Sequence, residues 1–254
     1  MKSDILVIGD ICEDVYVYGN SYRLAPEAPV PIFISLKESK NLGMCGNVYA
    51  NLSVLHADID LICNSEEVIK KRYLDQKTNH LFLRVDIGDD GVNRINLELL
   101  EKIYFKKYKA IIISDYNKGF LTAEDIEYIC ERHNVVFLDT KKRIDKWANK
   151  CTFLKINEKE FLNSKDFLKD NEKLYKEKLI ITLSERGCMY KDKFFPVKPV
   201  SIKDLSGAGD TFLAALAFKY VFSYDIEEAI IFANRCATQV VQKPGVSVIN
   251  PMEL

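Results

Sequence analysis

Short β-branched runs alternate with helix-like runs along most of the chain, and this alternation restricts the fold more than any other feature. The apolar runs have the length of strands, and in the segments between them apolar residues recur with helical spacing. We predict strands at residues 4–9, 59–63, 110–114, 135–139, 152–156 and 179–182. Because no linker rich in Pro, Gly or Ser interrupts the pattern, we predict one doubly wound α/β domain over residues 1–254, with a mainly parallel sheet.

Composition excludes several classes of protein. The formal net charge is −1, so bulk charge predicts neither a nucleic-acid partner nor a membrane partner. The N-terminus enters a strand pattern at once, and no apolar run has the length of a membrane span, so we expect no signal peptide and no membrane anchor. The seven cysteines are widely spaced without a Cys-x-x-Cys pair, which predicts reduced thiols and a cytoplasmic protein.

A small-residue junction near the C-terminal end predicts an anion site. Gly207, Ala208 and Gly209 stand between an apolar run at 200–202, which we interpret as a strand, and a helix-like run that begins at Thr211. Glycine lets backbone N–H groups approach a ligand, and a helix N-terminus adds unpaired donors, so phosphate is the expected anion. Asp210 beside it is placed to take a proton from an attacking hydroxyl. The alternative is a tight turn with Asp210 as the N-cap.

The full string at residues 204–212, Asp-Leu-Ser-Gly-Ala-Gly-Asp-Thr-Phe, resembles the C-terminal signature of the ribokinase-like (PfkB) carbohydrate kinases. The resemblance implies an anion hole at residues 207–209, Asp210 as catalytic base, and ATP with Mg²⁺ as cofactors. It also implies a three-layer sandwich with a small β-lid formed by residues 13–36 and 70–87.

The N-terminal stretch resembles the D-glycero-D-manno-heptose-7-phosphate kinase branch of that family. The similarity rests on the spacing at 9–19 and on the Pro-Glu-Ala-Pro-Val-Pro string at 26–31, whose prolines exclude helix and favour an extended edge segment. Asp10 and Asp14 follow the first strand, where carboxylates of open α/β sheets can hold sugar hydroxyls. For Asp10 a plain turn residue is the alternative.

Residues 42–52 form a glycine turn leading into a helix and resemble the family's first signature. The resemblance implies that Gly43 and Asn47 bind the sugar. Met44 stands where the family has its second glycine. A helix N-cap with close packing would account for Gly46 and Asn47 without a ligand.

The middle of the chain is shorter than the family pattern, which has a further helix, strand and helix after the strand at 59–63. Lys71-Arg72, Arg84 and the Asp-Tyr-x-Lys-Gly loop containing Lys118 still resemble pieces of the heptose branch. These cations are candidates to hold a phosphate already present on the substrate. A solvated face on an edge strand is the alternative. We predict helices at 96–107 and 122–132, the second capped by Thr122.

The C-terminal half carries the predicted nucleotide side. The pair Asn157 and Glu160 resembles the family's Asn-x-x-Glu motif, which implies that it positions Mg²⁺, largely through water. A hairpin is predicted around residues 192–193, and a helix at 226–241. Ser184 replaces a usual glycine, and the loop at Gly245 is implied to bind nucleotide or a monovalent cation such as K⁺. The implied nucleotide-binding residues are Asn157, Thr182, Ser184, Gly187, Asn234 and Gly245.

The sequence therefore predicts an ATP-dependent sugar kinase, with heptose 7-phosphate as the implied substrate, in synthesis of the ADP-heptose precursor of lipopolysaccharide. A kinase for another sugar or a nucleoside remains open, as does a nucleotide-binding regulatory protein without turnover. The resemblance also implies a homodimer formed through the lid. The branch is often fused to a nucleotidyltransferase domain, and we expect any such activity to be separate from this chain.

Overall fold

The structure, a computed structural model, describes residues 4–254, and the first three residues of the predicted domain lie outside it. Elements are numbered in chain order. A large sheet has the strand order β12-β11-β10-β9-β8-β7-β1-β4, in which β11 pairs antiparallel with both β10 and β12 and all other pairings are parallel. Its strands are β1 (Ile5–Gly9), β4 (Ile59–Cys63), β7 (Ala110–Asp115), β8 (Val136–Thr140), β9 (Phe153–Asn157), β10 (Leu179–Thr182), β11 (Cys188–Tyr190) and β12 (Lys193–Phe195).

Eight helices accompany this sheet within residues 4–254. They are α1 (Cys45–Val54), α2 (Leu97–Lys102), α3 (Ala123–Arg132), α4 (Glu158–Asn163), α5 (Lys165–Asp170), α6 (Glu172–Tyr175), α7 (Ala208–Ser223) and α8 (Ile226–Val240). Alternate residues of β1 enter two different apolar cores, because successive side chains of a strand point to opposite faces. One core contains α1, α7 and α8, and the other contains α2, α3, α5 and α6. The result is a three-layer sandwich.

A smaller sheet lies at one end of this sandwich. It consists of β2 (Ile11–Asn20), β3 (Ile34–Met44), β5 (Ile69–Asp75) and β6 (Leu81–Ile87), in the order β3-β2-β5-β6. Only Asp10 separates β1 from β2, and β3 continues into α1 without a loop. The predicted lid segments fall largely on these four strands, and the assignment of one domain with a lid stays a prediction.

Several predicted elements differ from the structure. Residues 196–206 contain no strand, because Pro196 and Pro199 have no N–H to donate to a neighbouring strand. The predicted helix at 96–107 ends at Lys102, and a separate 3₁₀ turn at Phe105–Lys107 places Phe105 in the apolar core. The segment at 23–31 is exposed and irregular, with a single bridge between Leu24 and Pro31.

Other local predictions are confirmed. Thr122 and Asp125 form a capping box at the start of α3. β11 and β12 form the predicted hairpin, with Lys191 and Asp192 in the turn. No helix within residues 4–254 has the length and apolar character needed to cross a membrane.

Candidate active site

The N-terminus of α7 presents unpaired amides to an open cavity. Its N-cap is Gly207, whose φ of 78° is left-handed, and the helix begins at Ala208, earlier than the predicted Thr211. Within residues 4–254 the amides of Gly209 and Asp210 have no hydrogen-bond acceptor. Since these donors carry the partial positive charge of the helix end, they suit an anion, and the anion hole at residues 207–209 stays a prediction. Asp210 lies in the first turn and is not the N-cap.

Asp210 is buried and held by two donors. The hydroxyl of Tyr116 donates to its Oδ1 over 2.6 Å, and the amide of Asn47 donates to its Oδ2 over 3.3 Å. Burial raises the pKa of Asp210 to about 6, and the charge of Asp139 adds to the rise, while Tyr116, Lys155 and Asn47 act in the opposite direction. A carboxylate with this pKa is ionised at neutral pH and basic enough to accept a proton.

Two lysines, the buried Lys155 and the half-buried Lys141, extend the positive potential beside this carboxylate. Lys155 Nζ donates to Asp139 Oδ2 over 2.6 Å, and both side chains are buried. A Cβ added at Gly209 would lie 3.0 Å from Lys155 Nζ, so the ammonium group is next to the anion site. Burial alone would raise the pKa of Asp139, but the charges of Lys155 and Lys141 outweigh it and lower that pKa. The ammonium group of Lys155 and the amides at the start of α7 therefore lie next to one another and can contact the same anion.

The cavity at this site has a volume of about 810 Å³, within the range of small-molecule sites. It is lined by the predicted anion-hole residues and by five of the six residues predicted to bind nucleotide: Asn157, Thr182, Ser184, Gly187 and Asn234. Gly245 is the exception. Its amide donates to Asp204 Oδ2 over 3.1 Å, and it lines a separate cavity of about 220 Å³ beside the small sheet.

Asn157 and Glu160 form a capping box at the start of α4. Glu160 N donates to Asn157 Oδ1, and Asn157 N donates to Glu160 Oε2. Glu160 Oε1 also accepts from Lys141 Nζ over 2.6 Å. Within residues 4–254 no group of three or more Asp, Glu, His or Cys side chains is arranged to hold a metal. The oxygens of this pair suit a hydrated Mg²⁺ contacted through water, and that role stays a prediction.

The predicted sugar ligands divide into two groups. Asn47 donates to Asp210, as described, whereas the carboxylate of Asp10 accepts backbone hydrogen bonds: Oδ2 accepts from Tyr116 and Lys118, and Oδ1 from Phe120. Asp10 thus holds the loop after β7 in place. Lys118 pairs with Asp89, so its ammonium group is already neutralised.

Asp14 and Gly43 are neighbours on one face of the small sheet, which also carries Arg72 and which we call the inner face. Asp14 forms an ion pair with Arg72. A Cβ at Gly43 would lie 2.1 Å from Asp14 Oδ2, so only glycine lets this carboxylate occupy its position. Both predicted residues are therefore in contact with one another, with Arg72 as the adjoining cation.

The strand register corrects one predicted cation. Lys70 pairs in register with Asp14 and Asp86, so it shares the inner face with Arg72 and Arg84. Lys71 points to the opposite face and pairs with Glu38. Lys70 is nearly buried, its Nζ lies 5.1 Å from the ring centroid of Tyr116, and no hydrogen bond or ion pair to it is found within residues 4–254. Arg84 is half-exposed and pairs with Asp86.

Two residues that replace family glycines keep the conformation that glycine favours. Met44 has a φ of 57° and Ser184 a φ of 51°. Met44 is buried against Cys12 and Val68, with Tyr116 alongside, whereas Ser184 is exposed. Both loops therefore hold a non-glycine residue at positive φ, at the cost of local strain.

The most informative residues absent from the sequence prediction are Tyr116, Lys155 and Lys70. Lys155 had a readable signal, because a lysine within the otherwise apolar run 153–156 must be paired or functional if the strand is buried. Lys70 differs from the predicted Lys71 by one position, which in a strand reverses the face. Nothing in the sequence indicates that Tyr116 reaches Asp210.

Comparison with known proteins agrees with this geometry. Residues 92–253 match the family described as pfkB family carbohydrate kinase. The chain belongs to this family. Among curated relatives, bifunctional protein HldE of a Nitratiruptor species is 31% identical over 299 aligned positions covering 100% of this chain, and that of Campylobacter jejuni is 35% identical over 288 positions covering 96%.

The chain spans 64% and 62% of the length of these two relatives. The alignment of 299 positions exceeds the 254 residues of the chain, so the relatives carry segments that it lacks. The shortened middle predicted after the strand at 59–63 is consistent with this difference.

Solved structures confirm the ribokinase-like fold. Arabidopsis thaliana ribokinase complexed with ribose and ATP superposes with a TM-score of 0.70 at 16% identity, covering 96% of this chain and 94% of that one. Phosphofructokinase-2 from Escherichia coli in complex with potassium gives a TM-score of 0.70 at 13% identity, covering 97% and 94%.

Proposed function

We propose that this chain is an ATP-dependent kinase that transfers the γ-phosphoryl group to a hydroxyl of a sugar phosphate. The observation that carries the proposal is the position of Asp210, whose buried carboxylate adjoins the uncovered amides of α7 at the rim of the 810 Å³ cavity. A general base beside an anion site is the pairing that phosphoryl transfer to an alcohol requires.

Each residue then has a defined task. Asp210 accepts the proton of the substrate hydroxyl as that oxygen attacks the phosphorus. The amides of Gly209 and Asp210, with Lys155, stabilise negative charge on the transferring group. Asn47 donates to the far carboxylate oxygen of Asp210 and fixes its orientation. Asn157 and Glu160 would contact, through water, a Mg²⁺ ion that arrives with ATP, and that ion would neutralise phosphate charge.

The inner face of the small sheet supports a substrate that already carries a phosphate. Lys70, Arg72 and Arg84 share that face, and Lys70 has no carboxylate partner within residues 4–254. Its register neighbours Asp14 and Asp86 are already paired with Arg72 and Arg84, so a substrate phosphate would supply the direct partner that Lys70 lacks. Together with the motifs similar to the heptose branch, this arrangement favours heptose 7-phosphate, and a place in the synthesis of surface-glycan precursors follows from that substrate.

The deciding experiment is an ATP-consumption screen of the purified chain over sugars, sugar phosphates and nucleosides. We expect heptose 7-phosphate, or a closely related sugar phosphate, to be turned over far better than the free sugar. Because exposed ion pairs are screened, any part of the preference carried by Arg84 falls as salt rises. Equal kcat/KM for phosphorylated and free sugars would reject the phosphate site. Turnover of nucleosides alone, or of nothing in the screen, would favour one of the other two interpretations.

The outer face of the small sheet supports self-association. Leu42, Leu83 and Ile87 share this face by register and are each at least 43% exposed. Exposed apolar groups on one face of a sheet favour a partner surface, and a second copy presents the same groups. Sedimentation should show a dimer that Leu83→Asp dissociates. A monomeric wild-type chain at micromolar concentration would contradict this assignment.

The Gly245 loop supports a monovalent-cation site beside Asp204. Its amide fixes one oxygen of that carboxylate, and both residues line the adjoining cavity of about 220 Å³. Replacing K⁺ by Na⁺ or a bulky ammonium salt at constant ionic strength should lower kcat. Identical rates in all three salts would exclude such a site.

A further inference from the structure

Tyr116 is fixed by contacts on several sides, and its hydroxyl points at the proposed base. Its phenol donates to Asp210 Oδ1 over 2.6 Å, a short hydrogen bond to a carboxylate. Its backbone N–H donates to Asp10 Oδ2, also over 2.6 Å. The ammonium groups of Lys70 and Lys141 each lie 5.1 Å from the ring centroid. The side chain therefore has little freedom to leave the carboxylate.

The surroundings of Asp210 make this one hydrogen bond important. Burial favours the neutral carboxyl, and a protonated Asp210 cannot accept a proton from a substrate. The titratable or charged groups near it are Tyr116 from the loop after β7, Asp139 and Lys141 at the end of β8, Lys155 in β9, Cys12 in β2 and Cys45 in α1. Of these, only the Tyr116 hydroxyl donates directly to the carboxylate within residues 4–254, and the uncharged Asn47 provides the other, longer bond.

We propose that Tyr116 is a positioning residue for the general base: its hydroxyl keeps Asp210 ionised and turns the remaining lone pairs toward the substrate hydroxyl. The role rests on the proposed function of Asp210 as base. No bond to Tyr116 forms or breaks in the reaction. The phenol stays protonated, because burial beside the carboxylate raises the pKa of Tyr116 well above its ordinary value.

The kinetic test is the pH dependence of kcat/KM for the sugar substrate in Tyr116→Phe. Loss of a donor to the ionised carboxylate raises the pKa of Asp210, so the acid limb moves to higher pH. A shift of about one unit lowers kcat/KM about fivefold near pH 6 and leaves the rate near that of the wild type at alkaline pH. Tyr108→Phe is the matched control, because Tyr108 also donates to a carboxylate, Asp60, over 2.6 Å but lies outside the site. Its profile should equal that of the wild type.

A second measurement needs no substrate. Carboxyl ¹³C NMR of the whole chain, with the Asp210 resonance assigned by its absence in Asp210→Asn, gives the pKa of Asp210 directly in wild type and in Tyr116→Phe. An upward shift of about one unit supports the proposal. An unchanged pKa in the folded variant overturns it, whatever the protein phosphorylates. A shifted pKa in a protein that phosphorylates no sugar would uphold the Tyr116 contact and reject the proposed function instead.

Discussion

The side-chain amide of Asn47 lies 3.3 Å from the carboxylate of Asp210, although 163 positions separate the two residues. Asn47 also donates to the carbonyl of Gly207 over 3.2 Å, and its own Oδ1 accepts from Asn51. One asparagine thus joins the start of α1 to the start of α7. Because both ends of that contact are buried, the relative position of the two helices sets the orientation of the base.

Asp210→Asn should lower turnover by roughly 10²–10⁴-fold while ATP binding changes little, because the amide keeps the shape of the carboxylate but cannot accept the proton. Steady-state kinetics and calorimetric titration with ATP measure the two quantities. Asp225→Asn, at the exposed N-cap of α8, is the matched control and should retain full activity. Near-normal kcat in Asp210→Asn would exclude Asp210 as base.

The same substitution should change stability in a pH-dependent way. Since the folded-state pKa of Asp210 is raised to about 6, the folded wild type loses stability as pH rises from about 4 through 6, where the unfolded chain is already ionised. Asp210→Asn removes this loss, so at pH 8 its free energy of unfolding should exceed that of the wild type by up to about 3 kcal/mol. Urea denaturation at pH 4 and pH 8 measures this gain, which should nearly vanish at pH 4. A gain independent of pH would contradict the raised pKa.

Gly209→Val should weaken ATP binding by about an order of magnitude without unfolding the chain. Gly209 has no left-handed φ, and its added Cβ meets only the flexible end of Lys155, so the substitution avoids the backbone strain expected of a side chain at Gly207. Calorimetry with ATP tests affinity, and circular dichroism tests folding. Gly91→Val, where the nearest heavy atom to the new Cβ is 3.8 Å away, is the control. Unchanged ATP affinity and turnover in folded Gly209→Val would show that this loop is only a turn and binds no phosphate.

Lys70→Met should lower kcat/KM for a sugar phosphate by about tenfold or more, because a charge-assisted contact to phosphate is lost. Lys71→Met should change it little, since Lys71 faces the other side of the sheet and pairs with Glu38. The KM for ATP should stay nearly constant in both variants. Equal losses in the two variants would show that general charge, and not the inner face, carries the preference.

Ser184→Gly and Met44→Gly should move stability in opposite directions. Both residues have a positive φ, and glycine relieves about 1–2 kcal/mol of strain there. Ser184 is exposed and loses little else, so Ser184→Gly stabilises. Met44 is buried, and losing its side chain costs about 2–5 kcal/mol, so Met44→Gly destabilises. Urea denaturation of ligand-free protein measures both. Stabilisation by Met44→Gly would show that its packing matters less than its backbone strain.

Local patterns in the chain predicted much of the fold. The apolar strand runs and the Thr122 cap depend on neighbouring residues alone, and they were predicted correctly. The prediction of a strand at 200–202 was wrong, because a strand also needs a hydrogen-bonded neighbour and the prolines on its N-terminal side prevent such pairing.

The site was predictable only where one motif contained it. The cluster at 207–210 is contiguous, so its geometry followed from glycine and a helix end. The contacts of Asp210 with Tyr116 and Asn47 span 94 and 163 positions, and no local pattern encodes such separations. Asp10 is a further example: its carboxylate accepts from the backbone of Tyr116 and Phe120, over 100 positions away, and its role as a sugar ligand stays a prediction.

The direct passage of β3 into α1 has a mechanical consequence. Met44 ends β3, Cys45 begins α1, and Asn47 lies within the first turn of that helix. No loop therefore lies between the small sheet and Asn47, which donates to Asp210. A rotation of that sheet cannot be absorbed by a flexible connection and must turn α1 or bend the chain at Met44. A ligand on the inner face of the small sheet is therefore coupled, through this direct connection between β3 and α1, to the orientation of the Asp210 carboxylate.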